Sequence, residues 1–410
     1  MRTLSDRASF RVSAMVVGLA LWASAAPSMS YPLYAAAWGL TPALTTMVFA
    51  VYPIALVVVL LLFGNLSDYI GRRASMLLGL TSLLVGALLF AAASDVWWLF
   101  VGRAFMGIGV GLSVSPGSAA MIEFSSPEKR RLTSAINTAA TAFGVVLALF
   151  VGGALVQFAP LPLHLDYLVL AAVIIAVLAL TWFLPRRTGS EAAGRWRPQG
   201  IAVPRGLRLV LITAAAAITC AYAVGALLLS LGGQIAHDLV GSNNAFVTGA
   251  LMSLFGIAVG IVAIACSRLA PRLNIGIGAV VSLLGVALLV EAGVTHNLWI
   301  FLASSVVNGA GYSLTFLGGV SLIGATAPAH HRAGMFSAAY LVGYVGQGIT
   351  AVVLGVVATN TGIGSALDDG AVALGVLFLV ALTLAWTTRV RKRAGMNAAA
   401  TGAIPTADAA

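Results

Sequence analysis

Apolar runs of about 20 residues recur along the whole chain, separated by short polar segments, and they restrict its possible folds. A helix needs about 20 mostly apolar residues to cross a bilayer, and it satisfies its own backbone hydrogen bonds there. Charged residues make up 8% of the chain, against roughly 25% in ordinary soluble proteins. We therefore predict an all-α membrane protein with twelve transmembrane helices. The predicted spans lie near residues 12–36, 43–65, 74–93, 97–121, 132–158, 165–185, 207–232, 244–266, 275–292, 298–322, 334–358 and 370–388.

The positive charges support twelve crossings. All 22 Lys and Arg residues except Arg103 fall in the N-terminal segment, the C-terminal tail or the alternate loops that twelve crossings place on one side. Cytoplasmic loops of membrane proteins are enriched in Lys and Arg, so we expect both termini to lie in the cytoplasm. The net charge of +10 then reflects contact with an anionic lipid surface, and we expect no nucleic-acid partner.

The two halves of the chain repeat a short pattern. The fourth and tenth predicted spans each carry a Trp that is followed ten and twelve residues later by glycines. These residues are Trp97, Gly107 and Gly109 in the first half and Trp299, Gly309 and Gly311 in the second. Paired repeats are typical of secondary transporters, whose substrate sites lie near the bilayer midplane between the repeats. We predict two pseudo-symmetric six-helix bundles at residues 1–185 and 207–388, a cytoplasmic linker at 186–206 and a disordered tail at 389–410.

The loop between the second and third predicted spans is unusually polar for this chain. It reads GNLSDYIGRR, residues 64–73, and closely resembles the signature loop of the major facilitator superfamily. Gly64 allows helices to approach closely, and Gly71 permits a tight turn without steric cost. The resemblance implies that Asp68 faces the start of the eleventh span, around residues 332–337, and latches the outward-facing state. The alternative is a solvated, positively charged turn that only sets the topology.

Further charged residues at the cytoplasmic ends of the spans extend the resemblance. Glu123 and Arg131, on either side of the loop after the fourth span, resemble the charge network of the family. The resemblance therefore implies a gating set at the cytoplasmic side. Its members are Gly64, Asp68, Gly71, Arg72, Arg73, Glu123, Arg131 and Arg332.

Arg103 is the basic residue that lies well inside a predicted span, since Arg208 falls at the very start of the seventh. An intramembrane arginine costs about 2.5–3.5 kcal/mol on insertion scales and is normally partnered. Arg103, Gly107 and Gly109 resemble a second superfamily motif that is common in proton-coupled members. The side chain can bond backbone carbonyls of the first helix, hold an anionic substrate group, tune a proton site, or extend to the outer interface. Ala148 and Leu149 stand where drug/proton antiporters carry Gly-Pro, so the resemblance to that branch is incomplete.

The acidic residues leave proton coupling open. Transporters that move protons usually bury a carboxylate or a histidine within the bundle. Asp95, Asp166, Asp238 and Glu291 all fall at or near the outer ends of predicted spans. Three possibilities follow, namely coupling through Asp95 or Asp238 at the cavity mouth, coupling by another route, and uniport.

Polar and aromatic residues recur at helical spacing in several spans. Tyr340, Tyr344 and Gln347 follow one face of the eleventh span, and Asn308 and Tyr312 do so on the tenth. We predict a substrate cavity lined by such stripes, with hydrogen bonds between helices as the alternative role of each residue. The predicted lining is Tyr31, Tyr34, Arg103, Asn137, Tyr222, Asn308, Tyr312, Tyr340, Tyr344 and Gln347. It suits a mid-sized, partly apolar molecule that is neutral or anionic.

These features predict a secondary active transporter that moves a small organic molecule by alternating access, in the efflux direction, with or without proton coupling. The alternatives are an uptake carrier or uniporter for a metabolite, and a non-transporting receptor or scaffold. No Gly-x-Ser-x-Gly, His-Glu-x-x-His or Walker motif occurs, so we expect no enzyme activity, no cofactor and no metal site. We expect a monomer in the cytoplasmic (inner) membrane of a bacterium.

Overall fold

The computed structural model describes residues 4–186 and 205–387, and these residues are almost entirely helical, without a β-strand. The α-helices in them are α1 Asp6–Ala25, α2 Pro27–Trp38, α3 Pro42–Phe63, α4 Leu66–Ile70, α5 Arg72–Ala91, α6 Val96–Glu123, α7 Arg130–Phe158, α8 Pro162–Trp182, α9 Arg208–Gln234, α10 Ala245–Ala265, α11 Pro271–Thr295, α12 Leu298–Thr326, α13 Ala329–Thr361 and α14 Ile363–Thr387. Together they provide 12 segments that are long and apolar enough to cross a membrane. The predicted all-α fold with twelve transmembrane helices is therefore confirmed.

The helices match the predicted spans in number and order, but some are longer or interrupted. The first span begins at Asp6 and is divided into α1 and α2 at Ala26. The division falls before Pro27, which has no amide N–H to continue the hydrogen bonding of α1. The last span begins at Ile363, earlier than predicted, because its helix continues through polar residues beyond the apolar stretch. The predicted tail and residues 187–204 of the predicted linker lie outside the described residues.

The buried apolar side chains form two clusters. One cluster, which includes Leu83, belongs mainly to α1–α8, and the other, which includes Phe301, belongs mainly to α9–α14. We call these the N-terminal bundle and the C-terminal bundle. Met29 and Leu149 of the N-terminal bundle pack with the second cluster, so the bundles share an apolar contact surface.

The repeated glycines have the same packing role in both bundles. A Cβ atom on Gly107 of α6 would meet a backbone carbonyl oxygen of α3, and one on Gly309 of α12 would meet a backbone carbonyl oxygen of α10. On the adjacent helix faces, Gly109 packs α6 against α5 and Gly311 packs α12 against α11. Small residues at these positions let the backbones approach closely. The repeat in the sequence thus corresponds to a repeated helix contact.

The molecule has two opposite ends, which differ in charge. Basic residues lie in or beside the connections that follow α3, α6, α8, α10 and α12, for example Arg72 and Arg268, and we call this the basic end. Arg72 Nε lies 3.0 Å from Glu123 Oε1, which joins the start of α5 to the end of α6. The opposite end is called the far end. That the basic end faces the cytoplasm stays a prediction from the charge pattern.

The two bundles meet along a seam in which α2, α3 and α7 face α9, α13 and α10 respectively. At the far end two hydrogen bonds cross this seam. The backbone N–H of Ala43 donates to Thr359 Oγ1 at 2.9 Å, and the backbone N–H of Ala245 donates to Gln157 Oε1 at 2.8 Å. These bonds hold the far end of the seam closed.

Candidate functional site

Aromatic rings from three helices of the C-terminal bundle form one group, which we call the aromatic cluster: Tyr222, Tyr312, Phe316, Tyr340 and Tyr344. The ring centroids of Tyr222 and Tyr344 are 4.6 Å apart, and those of Tyr222 and Phe316 are 5.8 Å apart. Tyr340 joins through Phe316 at 6.2 Å. The spacing explains the group, because residues four apart on α12 and on α13 lie on one helix face.

Four of the tyrosines in this cluster were predicted from the sequence, and Phe316 was not. Its position four residues after Tyr312 is the signal that would have identified it. Ring pairs at these distances are favourable beyond the burial of their area. The cluster therefore presents flat apolar faces together with four phenolic hydroxyl groups, a surface suited to an aromatic or partly apolar molecule.

Arg103 is buried in the N-terminal bundle, with 1% of its surface exposed. It donates from one terminal nitrogen to the Ser24 carbonyl oxygen at 2.8 Å. Its guanidinium carbon lies 5.4 Å from the ring centroid of Phe49 and 4.7 Å from that of Tyr52. Of the roles considered for this residue, bonding to the first helix is observed and extension to the interface is not.

Tyr52 is a further site residue that the sequence analysis missed. It lies on α3, stacks with Arg103, and is close enough to Tyr312 and Tyr344 to interact with them electrostatically. Tyr52 therefore contacts the buried cation of the N-terminal bundle and lies in the neighbourhood of the aromatic cluster of the C-terminal bundle. The candidate substrate site consists of the aromatic cluster, Tyr52 and Arg103.

Three predicted lining residues bond within their own bundle. The Tyr34 hydroxyl lies 3.2 Å from the carbonyl oxygens of both Phe90 and Leu163. Asn137 accepts a hydrogen bond from Ser118 at 2.8 Å. These contacts, and the burial of Tyr34 at 1% exposure, match the helix-to-helix role that was the alternative for each residue.

Asn308 is the third of these residues, and its Nδ2 donates to Ser304 Oγ at 3.1 Å on α12. Two other predicted residues, Tyr31 and Gln347, are buried without a hydrogen-bond partner for the Tyr31 hydroxyl or the Gln347 Oε1 among the described residues. Gln347 follows Tyr344 by almost one helical turn on α13, so the two residues lie on one face of that helix.

The predicted gating residues meet at the basic end of the N-terminal bundle. Arg72 is 2.5 Å from Asp68 Oδ1 and 3.0 Å from Glu123 Oε1, so one guanidinium bridges two carboxylates. Arg73 donates to the Leu184 carbonyl oxygen at 3.2 Å. The described partner of Asp68 is thus Arg72, and not the start of α13.

The remaining gating residues have separate positions. Arg332 donates to the Ala327 carbonyl oxygen at 3.2 Å, on its own side of the seam. Gly71 has a φ of 87°, which confirms the need for glycine in the turn. The atoms nearest to a Cβ on Gly64 belong to Leu60 of the same helix, and not to a neighbouring helix as expected. The side chain of Arg131 lies outside the described residues.

A separate cavity of about 760 Å³ opens at the basic end between α1 and α7. Arg7, Arg11 and Lys129 lie at its edge and Phe10 and Ile136 are among its apolar residues. None of the predicted site residues lines it. Within the described part of the chain, no group of three or more His, Cys, Asp or Glu residues is placed to hold a metal ion.

Comparison with known families and structures gives matches of one kind. The model of the Major Facilitator Superfamily matches residues 12–290. A solved bacterial homologue of the human lysosomal transporter Spinster, in an inward-facing and unoccupied conformation, is similar over 93% of this chain and 96% of its own, with a TM-score of 0.73 and 14% identity. The nucleoside transporter NupG is similar over 92% of this chain and 99% of its own, with a TM-score of 0.74 and 15% identity.

Curated relatives match shorter parts of the chain. The uncharacterized MFS-type transporter EfpA of Mycobacterium tuberculosis is 34% identical over 100 residues, which are 24% of this chain and 19% of EfpA. The inner membrane transport protein YajR of Escherichia coli is 28% identical over 149 residues, 36% of this chain and 32% of YajR. A high-affinity glucose transporter of Kluyveromyces lactis is 30% identical over 92 residues, 22% of this chain and 17% of that protein. These matches cover between about a sixth and a third of each relative.

Proposed function

The chain belongs to the major facilitator superfamily, and we propose that this membrane transporter is a secondary carrier that exports a small, partly apolar organic molecule by alternating access. We place it in the cytoplasmic membrane of a bacterium, acting as a monomer. The proposal rests on the candidate substrate site, because its residues come from both bundles and meet at the seam between them. Family members with paired repeats bind substrate in such a position.

The chemistry of the site favours a neutral or anionic aromatic substrate. The rings of the aromatic cluster offer stacking surfaces, and edge or stacked ring contacts are worth about 0.5–1.5 kcal/mol each. Arg103 makes one hydrogen bond to protein and its Nε has no partner among the described residues, so donors remain for an anionic group. A highly hydroxylated substrate would need more polar partners than these rings provide.

Uptake of a sugar is the second candidate, and the glucose transporter of Kluyveromyces lactis among the relatives is the observation in its favour. Buried amides often bind sugar hydroxyls, and Gln347 Oε1 and Asn308 Oδ1 both lack partners among the described residues. We favour the aromatic substrate because Asn308 is fully buried and packs against Gly285 of α11.

The arrangement of the seam fits one state of the cycle. The hydrogen bonds from Ala43 and Ala245 close the far end, while Asp68 and Arg332 bond on their own sides of the seam. We assign this arrangement to the inward-facing state. In the outward-facing state we propose that the basic end closes and that Asp68 then contacts the start of α13 as a latch.

The test is flux into inverted membrane vesicles from cells that produce the protein. Chloramphenicol serves as a neutral aromatic probe, fluorescein as an anionic aromatic probe, and glucose as a hydroxylated one. We expect uptake of one or both aromatic probes, little uptake of glucose, and a strong loss of uptake in Tyr222→Ala. Trp299→Ala is the matched control, because that ring is exposed at the far end of α12. Glucose uptake without aromatic uptake would favour the second candidate.

A further inference from the structure

Asp166 is an acidic residue buried within a membrane-spanning helix. It lies in the second turn of α8, with 1% of its surface exposed. Neither carboxylate oxygen has a hydrogen-bond partner among the described residues. By contrast, Asp68 and Glu123 pair with Arg72, and Asp95 and Asp238 are exposed at the far end. An ionised carboxylate without partners in apolar surroundings is strongly unfavourable, so this carboxyl group has to carry a proton in the present arrangement.

Within residues 4–186 and 205–387, no cation pairs with this carboxyl group to relieve the cost. Tyr34 of α2 is close enough to Asp166 to interact with it electrostatically. The Tyr34 hydroxyl, however, bonds to backbone carbonyl oxygens and not to the carboxyl group. On α8 itself, Tyr167 bonds to Ser30, and His164 lies 2.6 Å from the Ala91 carbonyl oxygen.

The helices that pack on α8 supply no further charge at this level. The far halves of α1, α5 and α7 contain no titratable side chain. Tyr31 of α2 interacts with Arg103. Arg103 itself is directed at the Ser24 carbonyl oxygen and at the rings of Phe49 and Tyr52. The state of Asp166 therefore depends on whether a proton or water reaches it.

The residues next to Asp166 on its inner side belong to the seam between the bundles. The Cβ position of Gly152 on α7 lies 3.6 Å from Asp166 Oδ2 and 3.5 Å from the Met29 side chain of α2. Met29 in turn packs with the apolar cluster of the C-terminal bundle. The next residue, Gly153, packs directly against Gly249 of α10, where an added Cβ would lie 3.0 Å from the Gly249 Cα. Separation of the bundles at the far end would therefore remove the outer support of Met29 and admit water toward Asp166.

We propose that Asp166 is a proton-binding site that must be occupied for the far end to close. When the far end opens, the Asp166 O–H bond breaks and its proton passes to an entering water, which leaves a hydrated carboxylate. Closure excludes that water, so the carboxylate has to regain a proton first. The sign follows from linkage: the closed far end is stable at low pH and loses stability as the pH rises. The role of this site in transport rests on the proposed carrier function, whereas the protonation step does not.

The experiment measures the opening of the far end against pH by electron-spin distance measurement. Spin labels are placed at Ser94→Cys, in the loop before α6, and at Thr295→Cys, at the end of α11, which are exposed positions at the far end of the two bundles. Cys220 and Cys266 are free thiols and are replaced by alanine in the parent protein. The labelled protein is studied in lipid nanodiscs without added substrate.

In the parent protein we expect the distance distribution to shift from short to long as the pH rises. Asp166→Asn, which mimics the protonated carboxyl, should stay short at every pH, and Asp166→Glu should retain a pH response. Asp95→Asn is the matched control, because it changes an exposed acid at the same end. Asp95 caps the N-terminus of α6, and asparagine can serve as a cap in its place. This variant should behave as the parent does.

A pH-independent distribution in the parent, or an unchanged pH response in Asp166→Asn, would overturn the proton site. A different result would refute the proposed function. A chain with the expected pH response but no flux of any probe keeps the proton site and refutes the carrier. A chain that carries the probes with a far end insensitive to pH refutes only the proton site.

Discussion

Gly249→Ala is expected to open the far end of the seam. In α10 the backbone of Gly249 packs directly on α7, and a Cβ there would overlap the Leu149 carbonyl oxygen and lie 3.0 Å from the Gly153 Cα. Carbon atoms in ordinary contact are about 3.5–4.0 Å apart, so the two helices would have to separate by about 0.5–1 Å. Backbone atoms form the obstacle on both sides, so no side chain can rotate away to relieve it.

This overlap destabilises only the arrangement in which the far end is closed. Overpacking of a well-packed contact costs about 1–3 kcal/mol. In the proposed open arrangement of the far end, α7 and α10 are apart at this level and the overlap is absent. The cost therefore shifts the equilibrium between the closed and open arrangements toward the open one by roughly 5–150-fold. The Ser94→Cys and Thr295→Cys label pair reports the shift as a larger population of long distances, at a pH at which the parent protein is mainly closed.

The control is Gly324→Ala near the basic end of α12, where an added Cβ meets no atom within 4 Å. It makes the same change of residue in a membrane-spanning helix without touching the seam. We expect its distance distribution to equal that of the parent. Equal distributions for Gly249→Ala and Gly324→Ala would refute the reasoning that the glycine contact closes the far end.

Three further variants test other parts of the structure. Gly71→Ala should lower stability by about 1–3 kcal/mol, because alanine is strained at a φ of 87° and a ψ of 151°; a thermal unfolding temperature equal to that of the parent would contradict this. Arg103→Lys keeps the charge but loses the planar stack on Phe49 and Tyr52, so we expect a loss of about 0.5–2 kcal/mol, and unchanged thermal unfolding would argue against the stack. Asp68→Asn should lower the free energy of unfolding by at most about 1 kcal/mol, because the ion pair of Asp68 is partly exposed. The variant should nevertheless show a smaller population of long distances between the far-end spin labels than the parent does. A population equal to that of the parent would exclude the latch.

Features that depend on the pattern along the chain were predicted well from the sequence. Apolar runs and alternating basic loops gave the number and order of the spans, because a bilayer imposes both length and sidedness on a helix. The spacing of Tyr340 and Tyr344 predicted that both rings share one helix face, and both rings contact the aromatic cluster from that helix. The repeated glycines correspond to equivalent helix contacts. Gly71 was placed correctly because positive φ is a local requirement.

Features that depend on contacts between distant helices were predicted less well. Tyr34 and Asn137 are polar residues in apolar spans, and a single sequence does not tell whether such a residue faces a cavity or a neighbouring helix. Asp166 was placed near a helix end, where water is normally available, but it is buried there, and both it and Met29 of another helix lie next to Gly152. Tyr52 was missed because only its neighbours in space mark it as a site residue. These neighbours are Arg103 in one bundle and Tyr312 in the other, and both are distant from it in sequence.

The most direct test of the account is counterflow of a labelled aromatic probe in proteoliposomes that contain only this protein. Liposomes are preloaded with unlabelled fluorescein or chloramphenicol and diluted into a trace of the same labelled compound. A carrier with one site that opens to one side at a time exchanges inner for outer molecules, so the label should accumulate transiently above its outer concentration and then decline. Entry of the label that never exceeds the outer concentration, or no entry of either probe, would contradict alternating access through a site between the bundles.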